Sequence, residues 1–147
     1  MNAVLLDVNV FLDYFLDRNG SEEAKEIINL CYQKSIYGHV SAHEITTLSY
    51  FLEKGVADKN KVTEIISKIL KIFTVIETNE TILWKALLSD VTDYEDAVIE
   101  VSAIEKRIDY IITKNIKDFE KSEIKAILPK DFLQYYTDEL YHNGVIY

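Results

Sequence analysis

The chain has 147 residues, of which 48% are hydrophobic, and carries a net charge of −9. This length is that of one ordinary domain, and the four Gly and one Pro exclude a fibrous or largely disordered chain. The overall negative charge disfavours contact with RNA or DNA, except where basic residues are locally concentrated.

Signals for membranes and disulfide bonds are missing from the sequence. The apolar runs fall short of the ~20 residues that a membrane-spanning helix needs. The N-terminal residues carry Asp7 and no basic segment before an apolar run, so we expect no signal peptide. The single cysteine, Cys31, cannot form an internal disulfide bond, which fits a reducing compartment. We therefore expect a cytoplasmic protein that does not contact a membrane.

The first half of the chain alternates strand-like apolar runs with segments of helical periodicity. It predicts strands at residues 3–6, 39–41 and 73–76, and helices at residues 9–16, 21–37, 41–53 and 59–71. Asn9 is predicted to cap the first helix. Ser41 and Glu44 have the spacing of a capping box, and Gly55 is predicted to end the helix that they begin.

The second half of the chain continues the same alternation. It predicts helices at residues 80–88 and 92–108, strands at residues 110–113 and 124–128, and a short helix that begins at Pro129. Thr92 and Glu95 form a second candidate capping box, with Asp93 also placed to act as a cap. From about residue 137 we expect a loosely packed, tyrosine-rich tail. The alternation indicates an α/β domain with a mainly parallel sheet.

Four acidic residues stand at the joints between these predicted elements. Asp7 ends the first strand, Glu44 and Asp96 lie in the first turns of two helices, and Asp118 follows the strand at residues 110–113. Glu44, Asp96 and Asp118 each have an ordinary structural role in a cap or a turn. Asp7 follows a buried strand and has no obvious partner. Because ligands bind beyond the carboxyl ends of parallel strands, we expect the four carboxylates to share one crevice.

Carboxylates gathered in one crevice require a positive partner, since their mutual repulsion amounts to roughly several kcal/mol when it is unscreened. Oxygen ligands without Cys or His suit Mg²⁺ or Mn²⁺ rather than zinc. The three histidines form no spaced pair on one helix face, and the chain has no Gly-rich phosphate loop. A cation held by carboxylates can activate water and stabilise phosphodiester oxygens, so the acids indicate phosphate-ester chemistry.

Four short motifs that carry these acids resemble, in order, the motifs of the PIN-domain family. They are DVNVFLD beginning at Asp7, SAHE ending at Glu44, DYEDA around Asp96, and TKNIKDF beginning at Thr113. The resemblance runs from residue 3 to about residue 133. It implies a three-layer α/β fold with a central, mainly parallel sheet of about five short strands flanked by helices. It also implies one PIN-like nuclease domain over residues 1–147.

The family resemblance further implies metal-dependent cleavage of RNA by an endoribonuclease, and many small bacterial members are VapC-type toxins paired with an antitoxin. Asp7, Glu44 and Asp96 would be the main metal ligands and catalytic residues. Members differ in whether the fourth acid stands at the position of Asn115 or of Asp118 in this chain. We assign Asp118 a catalytic role as a ligand or beside the ligands, and Asn115 a supporting one.

Other residues near the motifs have less direct expected roles. Asn9 and Thr113 would orient the carboxylates through hydrogen bonds. Asp13 is predicted to be solvated or to lie behind the ligands.

The positive charge of the chain is concentrated in one segment. Residues 106–130 hold seven Lys and Arg against four Asp and Glu, although such a strip can also be an ordinary solvated face. Because the strip adjoins the fourth motif, Lys114 and Lys117 are candidates for contact with the RNA backbone. Expected partners are RNA, an antitoxin protein and a second copy of this chain, the last because tyrosine is frequent in interfaces.

Two alternative functions fit parts of the sequence. A haloacid-dehalogenase-like phosphatase would use Asp7 as its nucleophile, but that class needs a second Asp at the position of Asn9. A protein- or nucleic-acid-binding module with an inactive PIN-like site would explain the acidic charge. A metal-dependent cleavage assay separates both alternatives from the nuclease.

Overall fold

The computed structural model describes residues 2–144 of the chain. Within them, five parallel strands form one sheet in the order β3-β2-β1-β4-β5. The strands are β1 Ala3–Leu6, β2 Tyr37–Ser41, β3 Thr74–Ile76, β4 Tyr110–Ile112 and β5 Lys125–Ile127. The helices are α1 Val8–Phe15, α2 Ser21–Tyr32, α3 Ala42–Val56, α4 Lys59–Ile72, α5 Glu80–Ala86, α6 Tyr94–Glu105 and α7 Pro129–His142, with a short 3₁₀ helix at Ile116–Phe119. The predicted α/β class with five short strands is confirmed.

Strand β1 occupies the centre of the sheet because its residues suit burial on both faces. Val4, Leu5 and Leu6 are fully buried, as is typical of a strand in a parallel sheet covered by helices on both sides. The chain adds β2 and β3 on one side of β1 and then returns to add β4 and β5 on the other. The strand order therefore reverses at β1, and a crevice is expected beyond its carboxyl end.

Helices cover both faces of the sheet, so the predicted three-layer arrangement is confirmed. Val4 and Leu6 belong to the larger core cluster, which includes side chains of α1, α2, α3, α4 and α7. Leu5 lies on the opposite face and packs with Ile99 and Ala103 of α6. This division follows from the alternation of side chains along a strand. Within residues 2–144, no helix combines the length and the apolar character needed to span a membrane.

Two helix ends differ from the sequence-based predictions. Helix α2 ends at Tyr32 rather than near residue 37, because Lys34 adopts a left-handed conformation with φ 59° and turns the chain into β2. Gly55 does not end α3, which continues to Val56 and has Ala57 as its left-handed C-cap. A Cβ on Gly55 would lie 2.7 Å from a methyl group of Leu16, so glycine here allows close packing.

The starts of two helices and the C-terminal region also differ from the sequence-based predictions. Asp7, not Asn9, is the N-cap of α1, and Asp93 rather than Thr92 caps α6 through a 3.0 Å hydrogen bond from the Glu95 amide. The prediction that Asp93 is a cap is thus confirmed. The region from about residue 137 continues α7 to His142 instead of lacking a regular element. The rest of the expected tail, residues 145–147, lies outside the described residues.

Candidate active site

The four predicted acids are delivered to the carboxyl edge of the sheet by different elements. Asp7 follows β1 directly, and Glu44 lies in the first turn of α3, which begins where β2 ends. Asp96 lies in the first turn of α6, and Asp118 in the 3₁₀ helix after β4. This is the arrangement expected for a ligand site in an open parallel sheet.

Asp7 is a buried carboxylate held by polar neighbours. Its side chain is 6% exposed, and one of its oxygens, Oδ2, accepts a 2.9 Å hydrogen bond from the hydroxyl of Thr113, which is itself fully buried. Burial raises the pKa of Asp7, and the charge of Asp118 adds to the rise, while contacts with Thr113, the Val8 amide and the Asn9 side chain oppose it. The predicted orienting contact from Thr113 is therefore present in the structure.

Glu44 combines a structural contact with an unsatisfied oxygen. Its Oε1 atom accepts from the Ser41 hydroxyl at 2.8 Å and from the Ser41 amide at 3.3 Å, which is the return contact of the expected capping box. Its Oε2 atom is buried and has no hydrogen-bond donor. Burial, together with the charge of Asp7, raises the pKa of Glu44 well above its usual range. One carboxyl group thus both caps a helix and offers a free acceptor beside Asp7.

Asp96 and Asp118 lie closer to solvent. Asp96 is half-buried, and desolvation together with the charges of Asp93, Asp7 and Asp118 raises its pKa to about 7. Asp118 is exposed, and its charge raises the pKa of both Asp7 and Asp96. Asp7 therefore interacts with each of the other three acids, and Asp96 also interacts with Asp118.

These acids do not form a ready-made cage for a metal ion. In the described part of the chain, no three His, Cys, Asp or Glu side chains lie close enough together to hold one. The chain also supplies no base to neutralise them, because none of the ion pairs within residues 2–144 involves any of the four. Carboxylate oxygens and the buried, unpaired Oε2 of Glu44 nevertheless suit a hard divalent cation such as Mg²⁺ or Mn²⁺.

The predicted supporting amides act in two ways. Asn9 lies in the first turn of α1, and besides its contact with Asp7 its Oδ1 atom accepts from Arg18 Nη2 at 3.4 Å. Asn115 contributes through its backbone, whose amide donates to the Thr113 hydroxyl at 3.0 Å. Asn115 thereby helps to fix the hydroxyl that holds Asp7.

The two candidate RNA-binding lysines have different surroundings. The ammonium group of Lys114 lies 2.8 Å from Asp13 Oδ2 and donates to the Asn19 carbonyl at 3.1 Å. Lys117 lies in the 3₁₀ helix beside Asp118, is exposed, and forms no ion pair with any residue between 2 and 144. Of the two, Lys117 is the more available for an external phosphate.

Sequence reasoning missed the surroundings of one acid. Asp13 is not solvated: it is 1% exposed and forms ion pairs with both Arg18 and Lys114. The apolar residues on either side of it in α1 indicated burial, but no local pattern pointed to its partner after β4.

Comparisons with known proteins agree with this fold. A family model described as the PIN domain matches residues 3–117. Among curated proteins, none matches the sequence.

Similar solved structures come from several bacteria. A DNA-bound VapBC complex from Salmonella typhimurium has 19% identity and a TM-score of 0.67, covering 88% of this chain and 99% of that one. A toxin–antitoxin complex from Klebsiella pneumoniae has 20% identity and a TM-score of 0.66, covering 86% and 98%. Mycobacterium tuberculosis VapC20, a toxin that cleaves the sarcin–ricin loop, has 13% identity and a TM-score of 0.64, covering 84% and 99%. The likeness shows a shared fold, and the match over residues 3–117 shows that this chain belongs to the PIN-domain family.

Proposed function

We propose that this protein is an Mg²⁺- or Mn²⁺-dependent endoribonuclease that cleaves RNA phosphodiester bonds, and that it is the toxin of a toxin–antitoxin pair. The observation that carries the proposal is the buried Oε2 atom of Glu44, which has no donor and lies in the field of Asp7. A buried carboxylate oxygen without a hydrogen-bond donor is costly to a fold unless it binds something. Membership of the PIN-domain family supports the nuclease class.

In this proposal Asp7, Glu44 and Asp96 hold the cation, with Asp118 at the more exposed side. The chemistry that the cation supplies when bound is activation of water and neutralisation of charge on phosphodiester oxygens. Thr113 fixes one oxygen of Asp7, and Ser41 fixes one oxygen of Glu44. These contacts orient the two carboxylates before any ligand arrives, which is the usual role of hydrogen bonds behind a metal site.

The RNA backbone would be held by the basic strip at residues 106–130. Lys117 is exposed and adjoins Asp118, so we assign it the more direct phosphate contact. Lys114 keeps 38% of its side chain exposed and can contribute charge although its ammonium group is ion-paired. The protein as a whole stays acidic, so binding depends on this local excess of positive charge.

A cleavage assay on end-labelled RNAs tests the proposed activity. Wild-type protein is expected to cut RNA in the presence of Mn²⁺ or Mg²⁺ and to stop when EDTA is added. Asp7→Asn keeps the shape of the side chain and removes its charge, so its rate should fall by at least about 100-fold. Asp90→Asn, an exposed acid with the same change, is the matched control and should cut at the wild-type rate. Full activity in Asp7→Asn, or undiminished cleavage in EDTA, contradicts the proposal.

The same assay separates the alternatives. An inactive binding module would bind RNA or a protein without cutting RNA under any metal condition. A phosphatase would hydrolyse p-nitrophenyl phosphate with Asp7 as nucleophile. The structure offers no observation in favour of the phosphatase, because Asn9 stands where its second acid would be needed and contacts Arg18.

An antitoxin partner is supported by the similar structures from Salmonella and Klebsiella, which are toxin–antitoxin complexes. This chain has a groove of about 490 Å³ between α1, α2 and α4, lined partly by the aromatic residues Phe11, Tyr14, Phe15, Tyr32 and Phe73. Charged side chains such as Glu22, Lys25 and Lys68 also line the groove. A groove with both apolar and charged lining suits an amphipathic segment of a protein partner. Co-expression with the product of the adjacent gene tests this, since Tyr14→Asp should weaken co-purification if the groove is used.

A homodimer is supported by a second apolar surface. Trp84, Leu87 and Leu88 are 66%, 61% and 86% exposed, and a cavity of about 310 Å³ next to them is lined by Leu88, Val101 and Ile104. The rest of that cavity is lined by polar and charged side chains, among them Lys85, Glu100 and Glu105. It is therefore the protruding apolar side chains that suit a two-fold contact between identical chains. Light scattering tests this: wild-type protein should be a dimer, and Leu88→Asp should make it a monomer.

A further inference from the structure

A buried carboxylate outside the four predicted acids holds two cationic side chains. Asp13 in α1 is 1% exposed, its Oδ1 atom accepts from Arg18 Nε at 3.1 Å, and its Oδ2 atom lies 2.8 Å from Lys114 Nζ. The side chains of Arg18 and Lys114 remain 42% and 38% exposed. Asp13 therefore joins three separate parts of the chain: α1, the turn after it, and the segment after β4.

The surrounding backbone is shaped to this carboxylate. The Asp13 carbonyl accepts from the Arg18 amide at 2.9 Å, and the Asn19 carbonyl accepts from Lys114 Nζ at 3.1 Å. Gly20 has a φ of +98°, and a Cβ there would lie 3.0 Å from Asp13 Oδ2. A glycine therefore lets the turn pack directly against the charged group.

Each of the two cations leads back to a residue that contacts Asp7. Arg18 also donates to the Asn9 side chain at 3.4 Å, and Asn9, two residues after Asp7 in the first turn of α1, lowers the pKa of the Asp7 carboxyl. Lys114 is bonded in the chain to Thr113, whose hydroxyl donates to Asp7 Oδ2 at 2.9 Å. Asn9 and Thr113, the two polar side chains that act on Asp7, are thus each linked to Asp13 through one further residue.

We propose that Asp13 is a positioning residue that fixes the orientation of the Asp7 carboxylate through Arg18 and Asn9 on one side and through Lys114 and Thr113 on the other. The value of this orientation for metal binding rests on the proposed function. In this role Asp13 itself contacts neither the RNA nor the cation, because it is 1% exposed and its oxygens lie against Arg18 and Lys114.

The competing explanation is that Asp13 only stabilises the fold. The two roles differ in what they predict far below the melting temperature. Loss of a purely structural contact lowers the melting temperature and leaves the affinity for a cation unchanged in the protein that stays folded. Loss of a positioning contact weakens that affinity as well, typically by about 10- to 100-fold for groups behind metal ligands.

The test compares Asp13→Asn with Glu100→Gln. Glu100 is a second buried carboxylate, but it accepts from Ser89 and from the Glu123 amide before β5 and so serves as the matched control. Calorimetric titration with Mn²⁺ well below the melting temperature should show a dissociation constant raised about tenfold in Asp13→Asn. It should be unchanged in Glu100→Gln. In RNA cleavage, Asp13→Asn should lower kcat by a similar factor with little change in KM.

Single-branch variants keep the test valid if Asp13→Asn does not fold. Arg18→Gln removes the ion pair with Asp13 and the contact with Asn9 but leaves the Lys114 branch. Lys114→Met removes the ion pair with Asp13 and the contact with the Asn19 carbonyl but leaves the Arg18 branch. Each should weaken Mn²⁺ binding by a smaller factor than the loss of both. Unchanged Mn²⁺ affinity in both single variants would overturn the proposal.

A crystal structure of Asp13→Asn, or of the single variants, separates this inference from the proposed function. The 2.9 Å contact between Thr113 and Asp7 should be lost or lengthened if Asp13 positions Asp7. An unmoved Asp7 would overturn the positioning role whether or not the protein cuts RNA. Failure of the wild-type protein to bind Mn²⁺ and to cleave RNA would refute the nuclease instead.

Discussion

Asp7 is the N-cap of helix α1, and Asp13 lies within the same helix. Both carboxylates are buried, but their charges have opposite surroundings. Asp13 has two cationic partners within 3.1 Å. Asp7 accepts from neutral polar groups, and its charge interacts with those of other acids: Asp118 raises its pKa, and Asp7 raises the pKa of Glu44 and of Asp96. The chain itself neutralises the charge of Asp13, whereas Asp7 is surrounded by other negative charges.

The difference teaches where a cation from outside is needed. A buried charge must be paired, hydrogen-bonded or neutralised by a proton. None of the ion pairs within residues 2–144 involves Asp7 or Glu44, and burial raises the pKa of both. Two basic residues, Arg18 and Lys114, lie close to this region, but both pair with Asp13 rather than with Asp7. The candidate site is thus deficient in positive charge beside a cluster that contains two bases.

The largest effect on stability is expected from removing the paired carboxylate. In protein treated with EDTA, Asp13→Asn should cost about 3 kcal/mol, toward the low end for breaking a buried ion pair because its partners can regain water. Glu44→Gln should cost less than about 1 kcal/mol, because Gln keeps an oxygen that can accept from Ser41 and removes a buried negative charge beside Asp7. Urea denaturation of both variants measures the difference. Equal losses would mean that the two carboxylates are not treated differently.

Addition of Mn²⁺ should then stabilise the protein through the acids around Asp7 and not through Asp13. A cation that binds only the folded protein adds about 2.7 kcal/mol at a hundredfold excess over its dissociation constant. For a chain of this size the melting temperature should rise by roughly 6–12 °C. Asp96→Asn should gain little from Mn²⁺, while the control Asp90→Asn should respond like the wild type. A wild-type response in Asp96→Asn would remove Asp96 from the site.

A smaller effect is expected from pH in the EDTA-treated protein. Folding raises the pKa of Asp96 from 3.8 to about 7, so its ionisation opposes folding. Its contribution to stability is therefore complete below the unfolded pKa and is lost as the pH rises through about 7. The melting temperature should be higher at pH 6 than at pH 8, and Asp96→Asn should reduce that difference. The same dependence in wild type and variant would contradict the assignment.

The smallest effect concerns the bases outside the Asp13 cluster. Lys117→Ala should raise KM for RNA and reduce the salt dependence of binding by a slope of about 0.7, the value for one phosphate contact on a single strand. Lys61→Ala on α4 removes the same charge elsewhere and is the control. Fluorescence anisotropy at several salt concentrations measures the slope. An unchanged slope in Lys117→Ala would identify the strip as an ordinary solvated face.

The sheet was predictable because its signals are local. Val4 to Leu6 belong to a short apolar run that is typical of a strand covered on both faces, and the alternation with helices predicts parallel pairing. Helix ends were less predictable. The left-handed turn at Lys34 has no sequence signature, because lysine is not one of the residues enriched in that conformation and adopts it here in the context of the fold.

The site was predictable only in part. The position of each acid at the end of a strand or the start of a helix could be read from the sequence, and so could the return contact of Glu44 to Ser41. The partners of Asp13 could not, because Lys114 reaches it from the far side of the chain and no periodicity links the two. The missing donor at Glu44 Oε2 also depends on packing around it rather than on its neighbours in sequence.

The hydrogen bond between Thr113 and Asp7 joins residues that are 106 positions apart, and this separation has a consequence for synthesis. At about 5–20 residues per second, a ribosome needs roughly 5–20 s to add the segment between them. During that interval the growing chain already carries Asp7 and Glu44 but has no β4 to pair with β1. Contacts so distant in sequence form slowly even in a complete chain. The crevice is therefore completed late, after most of the helices have been synthesised. For most of its synthesis the chain lacks a complete site.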